Sequence, residues 1–169
     1  NSPSGHIVPL DDLRELARQV TGILAIDEAY VDFAEYSALP LVQEFENVIV
    51  LRTLSKGYSL AGLRLGFGIA NPKLLSGLFK VKYSYNIDTV AISVGTAAMS
   101  DQEYKNACAE KVKTSRTKLT SDLKNLDYTV LESHGNFVLA TPPKGNAEEI
   151  YLKLKESGIL VRYFSQAGL

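Results

Sequence analysis

Two short clusters in the sequence place reactive side chains directly after apolar runs. Asp27-Glu28-Ala29-Tyr30 follows Ile23 to Ile26, and Arg52-Thr53-Leu54-Ser55-Lys56-Gly57 follows Val48 to Leu51. A third cluster, Gly62-Leu63-Arg64-Leu65-Gly66, comes shortly afterwards. Taken singly, each has a plain explanation. An aspartate at a strand end usually caps a turn or helix, and a lysine after serine in a loop or an arginine before a strand is usually a solvated charge. The combination is less ordinary. Ligands of parallel α/β sheets bind beyond the carboxyl ends of the strands, so a carboxylate, a phenol, hydroxyls, an amine and a guanidinium would all project from one edge of one sheet.

That set matches the needs of pyridoxal phosphate. The cofactor requires an amine for its aldehyde, a carboxylate to keep its ring nitrogen protonated, and donors for its phosphate. A protonated ring draws off the electron pair left when a substrate α-proton departs, so the carboxylate acts by electrostatic preorganisation. The amine first holds the aldehyde and then, once displaced, shuttles the proton.

The elements that must position these groups alternate in type. Pro9 with Asp11 and Asp12 opens a helix, whose apolar face is Leu10, Leu13, Leu16, Ala17 and Val20. Ile23 to Ile26, Val48 to Leu51 and Leu65 to Ala70 read as strands, which predicts a mainly parallel α/β sheet. Asp101 opens a long helix running to about Leu126. Beyond it the pattern predicts strands over Tyr128 to Glu132, Asn136 to Ala140 and Ile159 to Tyr163, with a helix over Asn146 to Ser157. The fold class expected is α/β, with a small α+β C-terminal domain. Residues 1–104 would belong to the large domain and residues 105–169 to the long linking helix and the small one.

Composition excludes several alternatives. The chain has 169 residues, 46% of them hydrophobic and 22% charged, the balance of an ordinary globular protein. A net charge of −1 favours neither nucleic acid nor a membrane surface as partner. The single cysteine, Cys108, rules out an intrachain disulfide framework and fits a reducing, cytoplasmic compartment. His6 and His134 lie in turn-rich sequence and are expected to be solvated, with no metal site; Tyr83 and Tyr85 are expected to pack.

The motifs resemble those of the fold-type-I pyridoxal-phosphate aminotransferases, most closely the histidinol-phosphate branch. Arg52-Thr-Leu-Ser-Lys-Gly-Tyr-Ser-Leu-Ala-Gly-Leu-Arg64-Leu-Gly-Phe67 looks like the family's lysine motif, with Arg64 eight residues after Lys56. Asp27-Glu-Ala-Tyr30 looks like its pyridinium-binding motif, and Asn1-Ser-Pro-Ser-Gly5 like the end of its asparagine-proline turn. The likeness extends through Gly158-Ile-Leu-Val-Arg162.

By this resemblance Lys56 carries the cofactor and moves the substrate proton, Asp27 pairs with the pyridine nitrogen, and Tyr30 bonds the ring 3-oxygen. Ser55 and Arg64 hold the cofactor phosphate, with Thr53 adding a hydroxyl. Asn1 stands for the family's asparagine on the 3-oxygen, although Ser2 immediately precedes the proline where many relatives have that residue. Arg162 resembles an arginine that contacts a substrate phosphate; its plain alternative is a charge capping an edge strand. The resemblance also implies an internal piece of a longer protein, with the arginine that binds the donor carboxylate falling after Leu169. The implied reaction converts histidinol phosphate and 2-oxoglutarate to imidazole-acetol phosphate and glutamate, in histidine biosynthesis, within a homodimer. The partners are thus a small amino donor and a phosphorylated keto acceptor. Alternatives are an aromatic or broad aminotransferase, a pyridoxal-phosphate decarboxylase, or a catalytically silent folded module.

Overall fold

Helix α1, Leu10–Gln19, starts after Pro9 with Asp11 and Asp12 in its first turn, where the exposed N–H groups and helix dipole favour negative charge. The computed structural model in which it is seen describes residues 1–166. Strand β1, Leu24–Asp27, pairs in parallel with β2, Val48–Thr53, which in turn pairs antiparallel with β3, Gly66–Ala70. The sheet order is β1-β2-β3, with β2 central.

Alternation along the strands divides the sheet into two unlike faces. Leu24 lies opposite Val48 and Ile26 opposite Val50. These side chains pack with Leu10, Leu13 and Ala17 of α1, and with Ala38, Leu41, Val42 and Phe45 of the connection that holds the short helix α2, Leu41–Glu44. Leu41, Val48 and Val50 are completely buried, each contributing roughly 1.5–3 kcal/mol by removal from water. On the other face Ala25, Leu51, Gly66 and Gly68 are exposed.

The expected mainly parallel arrangement holds for β1 and β2, and β3 runs the other way. A parallel return needs a crossover of about a dozen or more residues, usually carrying a helix. The link from Thr53 to Gly66 contains only a 3-10 turn, Ala61–Leu63, so the chain doubles back.

Three helices follow, each with a side-chain cap that satisfies an otherwise unpaired N–H. Asn71 caps α3, Pro72–Val81; Asp88 caps α4, Thr89–Ser100; Asp101 caps α5, Gln102–Asn125. Helix α5 ends where Asp127 adopts a left-handed conformation (φ 60°) and Tyr128 N–H returns to the Leu123 carbonyl. Strands β4, Thr129–Val130, and β5, Ala140–Thr141, form a separate antiparallel pair, and α6 spans Ala147–Glu156.

Three expectations need correction. Asn136 to Ala140 is not one strand: residues 136–139 are irregular, and the ladder to β4 begins only at Ala140. Ile159 to Tyr163 is not a strand: it has no ladder partner among the described residues, and Leu160 is 81% exposed. Apolar β-formers make a strand only where a neighbour pairs their backbone. Tyr83 and Tyr85 do not pack; they are 78% and 92% exposed.

Candidate functional site

The direction of each strand decides which residues meet. Because β1 and β2 are parallel, Asp27 and Thr53 both lie at their carboxyl ends. Because β3 is antiparallel, it begins at that edge, with Gly66 paired to Thr53. Arg64, two residues before β3, is therefore carried to the same edge. A parallel β3 would have placed it at the opposite one.

Asp27 is exposed, and its Oδ1 accepts a hydrogen bond from Ala29 N–H at 2.9 Å. It borders a cavity of about 520 Å³, with Asn1, Ser2, Tyr30, His134 and Gly135 also on the wall. That volume lies in the range of small-molecule sites. Tyr30 precedes the 3-10 turn Val31–Phe33 and is held edge-on by Phe137, with ring centroids 5.2 Å apart at 80°. Lys56 is half-buried, and its Nζ lies 5.5 Å from the Tyr30 ring centroid. Tyr30 thus shares the cavity wall with Asp27 and also stands next to the lysine amine.

The remaining expected residues fall into two groups. Thr53 Oγ1 lies 2.9 Å from Ser55 Oγ and accepts from Ser55 N–H at 3.1 Å, so the two hydroxyls sit together at the mouth of the Lys56 loop. Arg64 is exposed, in a left-handed conformation (φ 55°), and donates to the Ala61 carbonyl at 3.0 Å. Asn1 lies on the cavity wall, its Nδ2 donating to Ser4 Oγ at 3.2 Å. Arg162 is not brought into this group: it is exposed, absent from the cavity wall, and lies over the Phe164 ring at 5.2 Å.

Several supporting residues were not foreseen. Glu28 and Arg52 form an ion pair at 2.9 Å, with Glu28 only 8% exposed. Arg52 Nη2 also donates to Ser37 Oγ at 2.8 Å, and Ser37 Oγ donates to Glu28 Oε2 at 3.0 Å. Arg116 of α5 donates to the Gly135 carbonyl at 2.6 Å and the Phe33 carbonyl at 3.3 Å, tying the turn after Tyr30 to a cavity-wall loop. His134, expected to be solvated, has a side chain only 15% exposed and lines the cavity; its backbone N–H reaches the Gly5 carbonyl. Of these, only Glu28 and Arg52 left a signal in sequence, being the neighbours of Asp27 and Thr53 at two strand ends.

A family model described as aminotransferase class I and II matches residues 1–169, and the chain belongs to that family. Its similar relatives include histidinol-phosphate aminotransferase 1 of Trichormus variabilis, 70% identical over 169 residues, and histidinol-phosphate aminotransferase 1 of Nostoc, 66% identical over the same span. The chain spans about half the length of these curated relatives, 48% of each. The solved histidinol-phosphate aminotransferase of Sinorhizobium meliloti, in complex with pyridoxal-5'-phosphate, superposes with a TM-score of 0.89 at 29% identity. That match covers 99% of this chain and 48% of the other.

Proposed function

We propose that this chain forms the lysine-bearing part of a pyridoxal-phosphate-dependent aminotransferase acting on histidinol phosphate and 2-oxoglutarate, giving imidazole-acetol phosphate and glutamate. The observation that carries this reading is the placement of Lys56 against Tyr30, the same phenol that borders the Asp27 cavity. The donor set fits the cofactor: an amine, a carboxylate, a phenol, paired hydroxyls and a guanidinium at one sheet edge. The relatives' names support the choice of substrate.

When bound, pyridoxal phosphate supplies an electrophilic carbon and a ring that accepts the electron pair released at the substrate Cα. The Lys56 amine would hold the aldehyde and, once displaced, would be the base that moves the proton from the substrate Cα. The Asp27 carboxylate holds a proton on the ring nitrogen. Tyr30 donates its hydroxyl to the ring oxygen, with the Asn1 amide as a second donor. Ser55, Thr53 and Arg64 bind the phosphate, the arginine with paired N–H groups suited to an oxyanion. Arg162, which stands apart from these groups, is assigned to the substrate phosphate on the family resemblance alone.

We assign residues 1–104 to the large domain and residues 105–169 to the linking helix and the small domain, a division supported by β1-β2-β3 lying in the first part and the β4-β5 pair in the second. The homodimer is carried over from the family resemblance, and the exposed apolar residues Phe79 (64%), Val81 (81%) and Val90 (69%) offer surface for it or for the rest of a longer protein. The lone free thiol, Cys108, supports a cytoplasmic location.

The test is borohydride reduction of the intact protein after addition of pyridoxal phosphate, with peptide mapping, followed by transamination assays. A stable adduct at Lys56 and preference for imidazole-acetol phosphate over phenylpyruvate are expected. Loss of the adduct in Lys56→Ala completes the case. A folded wild-type protein without an adduct sinks the assignment, and preference for phenylpyruvate moves it to an aromatic aminotransferase.

A further inference from the structure

Beneath the Lys56 loop lies a second pair of charges that the reaction does not use. Asp32, in the 3-10 turn after Tyr30, meets Lys105 in the first turn of α5 at 3.1 Å, and each side chain is 13% exposed. The pair sits directly under the residue that follows Lys56. A side chain at Gly57 would collide with the carboxylate and Cβ of Asp32, and Gly57 itself is buried. The Gly57 backbone therefore rests on the Asp32 side chain, which only glycine permits.

The same turn of α5 grips the next residue too. Lys105 Nζ lies 5.7 Å from the Tyr58 ring centroid, and Gln102 Nε2 donates to the Tyr58 hydroxyl at 2.9 Å. Asp32, Lys105, Gly57 and Tyr58 thus form a block at the base of the lysine loop, with Tyr30 two residues before Asp32. An ion pair this far from water persists only when both members are held, because either charge left alone is costly. The turn carrying Tyr30 and the loop carrying Lys56 thus meet α5 at this one pair of charges, beside the bonds from Arg116 to the turn and Gln102 to the loop.

We propose that Asp32 and Lys105 are positioning residues for Lys56. By locking the Tyr30 turn as the floor beneath Gly57, they set where the Lys56 amine stands over the phenol. They touch neither substrate nor cofactor and act through the Gly57 backbone and the Tyr58 ring. The inference rests on Lys56 being the cofactor lysine.

The experiment compares wild type, Asp32→Asn, Lys105→Met, Lys105→Arg and the double Asp32→Asn/Lys105→Met in the intact protein. Thermal unfolding is measured beside the concentration of pyridoxal phosphate that half-saturates the borohydride-reducible adduct at Lys56. Misplacing a reacting group by about 1 Å can cost on the order of 100-fold, so each single charge removal is expected to raise that concentration roughly tenfold or more. Lys105→Arg, which keeps the charge, restores it to within about threefold of wild type by the same measure. The double variant, free of any uncompensated charge, regains thermal stability but keeps the weakened adduct. Recovery of the adduct in step with stability overturns the proposal, because it makes the pair a fold-stabilising contact only. Wild-type adduct formation in both single variants overturns it as well and leaves the assigned function standing. No adduct in the wild-type protein overturns both. If the single variants do not fold, the double variant alone decides between the two outcomes.

Discussion

Glu28 and Arg52 stand one step beyond the paired residues Asp27 and Leu51, on adjacent strands, and their side chains meet at 2.9 Å on the packed side of the sheet. Asp27 and Thr53, their immediate neighbours, point to the opposite face by strand alternation. One residue of each couple is thus used to hold the strand ends together, leaving the other for chemistry.

Removing either partner of that pair leaves a largely buried charge without its counter-ion. Glu28→Gln and Arg52→Met are each expected to lower unfolding stability by about 3 kcal/mol. Urea unfolding of the intact protein checks this: the midpoint should fall while the slope stays constant. A loss of a few tenths of a kcal/mol or less would mean that the pair is water-screened.

Arg116 donates to two backbone carbonyls, those of Phe33 and Gly135, that no other element supplies with a charged donor among the described residues. Hydrogen bonds from charged groups contribute about 1.5–3 kcal/mol, so Arg116→Met should cost about 2 kcal/mol. It should also speed hydrogen exchange selectively in the segments around residues 31–35 and 133–137. Uniform exchange across the chain would show that the bond is not what holds those two loops together.

Glu44 is held below the usual carboxylate range, chiefly by its hydrogen bond from Arg14 at 2.7 Å, with desolvation opposing and the charges of Arg14 and Arg18 assisting. A carboxylate depressed on folding stabilises the native state above its unfolded pKa of about 4.3, and that contribution fades as pH falls through the lower, folded value. Glu44→Gln should therefore be slightly less stable than wild type at pH 7, the gap closing below about pH 4. Both groups are partly exposed, so 1 M salt should shrink the gap too. A gap that widens on acidification would contradict the ion-pair account.

Phe79 and Val81 present their side chains to water at the end of α3. If the proposed homodimer uses this surface, Phe79→Asp and Val81→Asp should shift the intact protein to monomer in light scattering, with the melting temperature of the monomeric fold little changed. Retention of the dimer would place its interface elsewhere.

The reactive groups proposed for the site are all visible in the sequence. Asp27, Tyr30, Lys56 and Arg64 carry group types that stand where apolar runs stop or resume, and local rules also located Asp101 at the start of α5. The sequence pattern located β4 within Tyr128 to Glu132, but it placed β5 too early and made a strand of Ile159 to Tyr163, because a strand exists only through its partner's backbone and hydrophobicity does not name the partner.

The residues by themselves determined the inventory of reactive groups and the order of elements, since both depend on side-chain type and on periodicities of a few residues. Tertiary structure decided the rest. The reversal of β3 brings Arg64 to the Asp27 edge, pairing in register makes Glu28 the buried acid and Asp27 the free one, and α5 delivers Lys105 and Arg116 to a turn more than seventy residues upstream. Contacts of that separation are set by how whole elements pack, and no local pattern encodes which charges will meet.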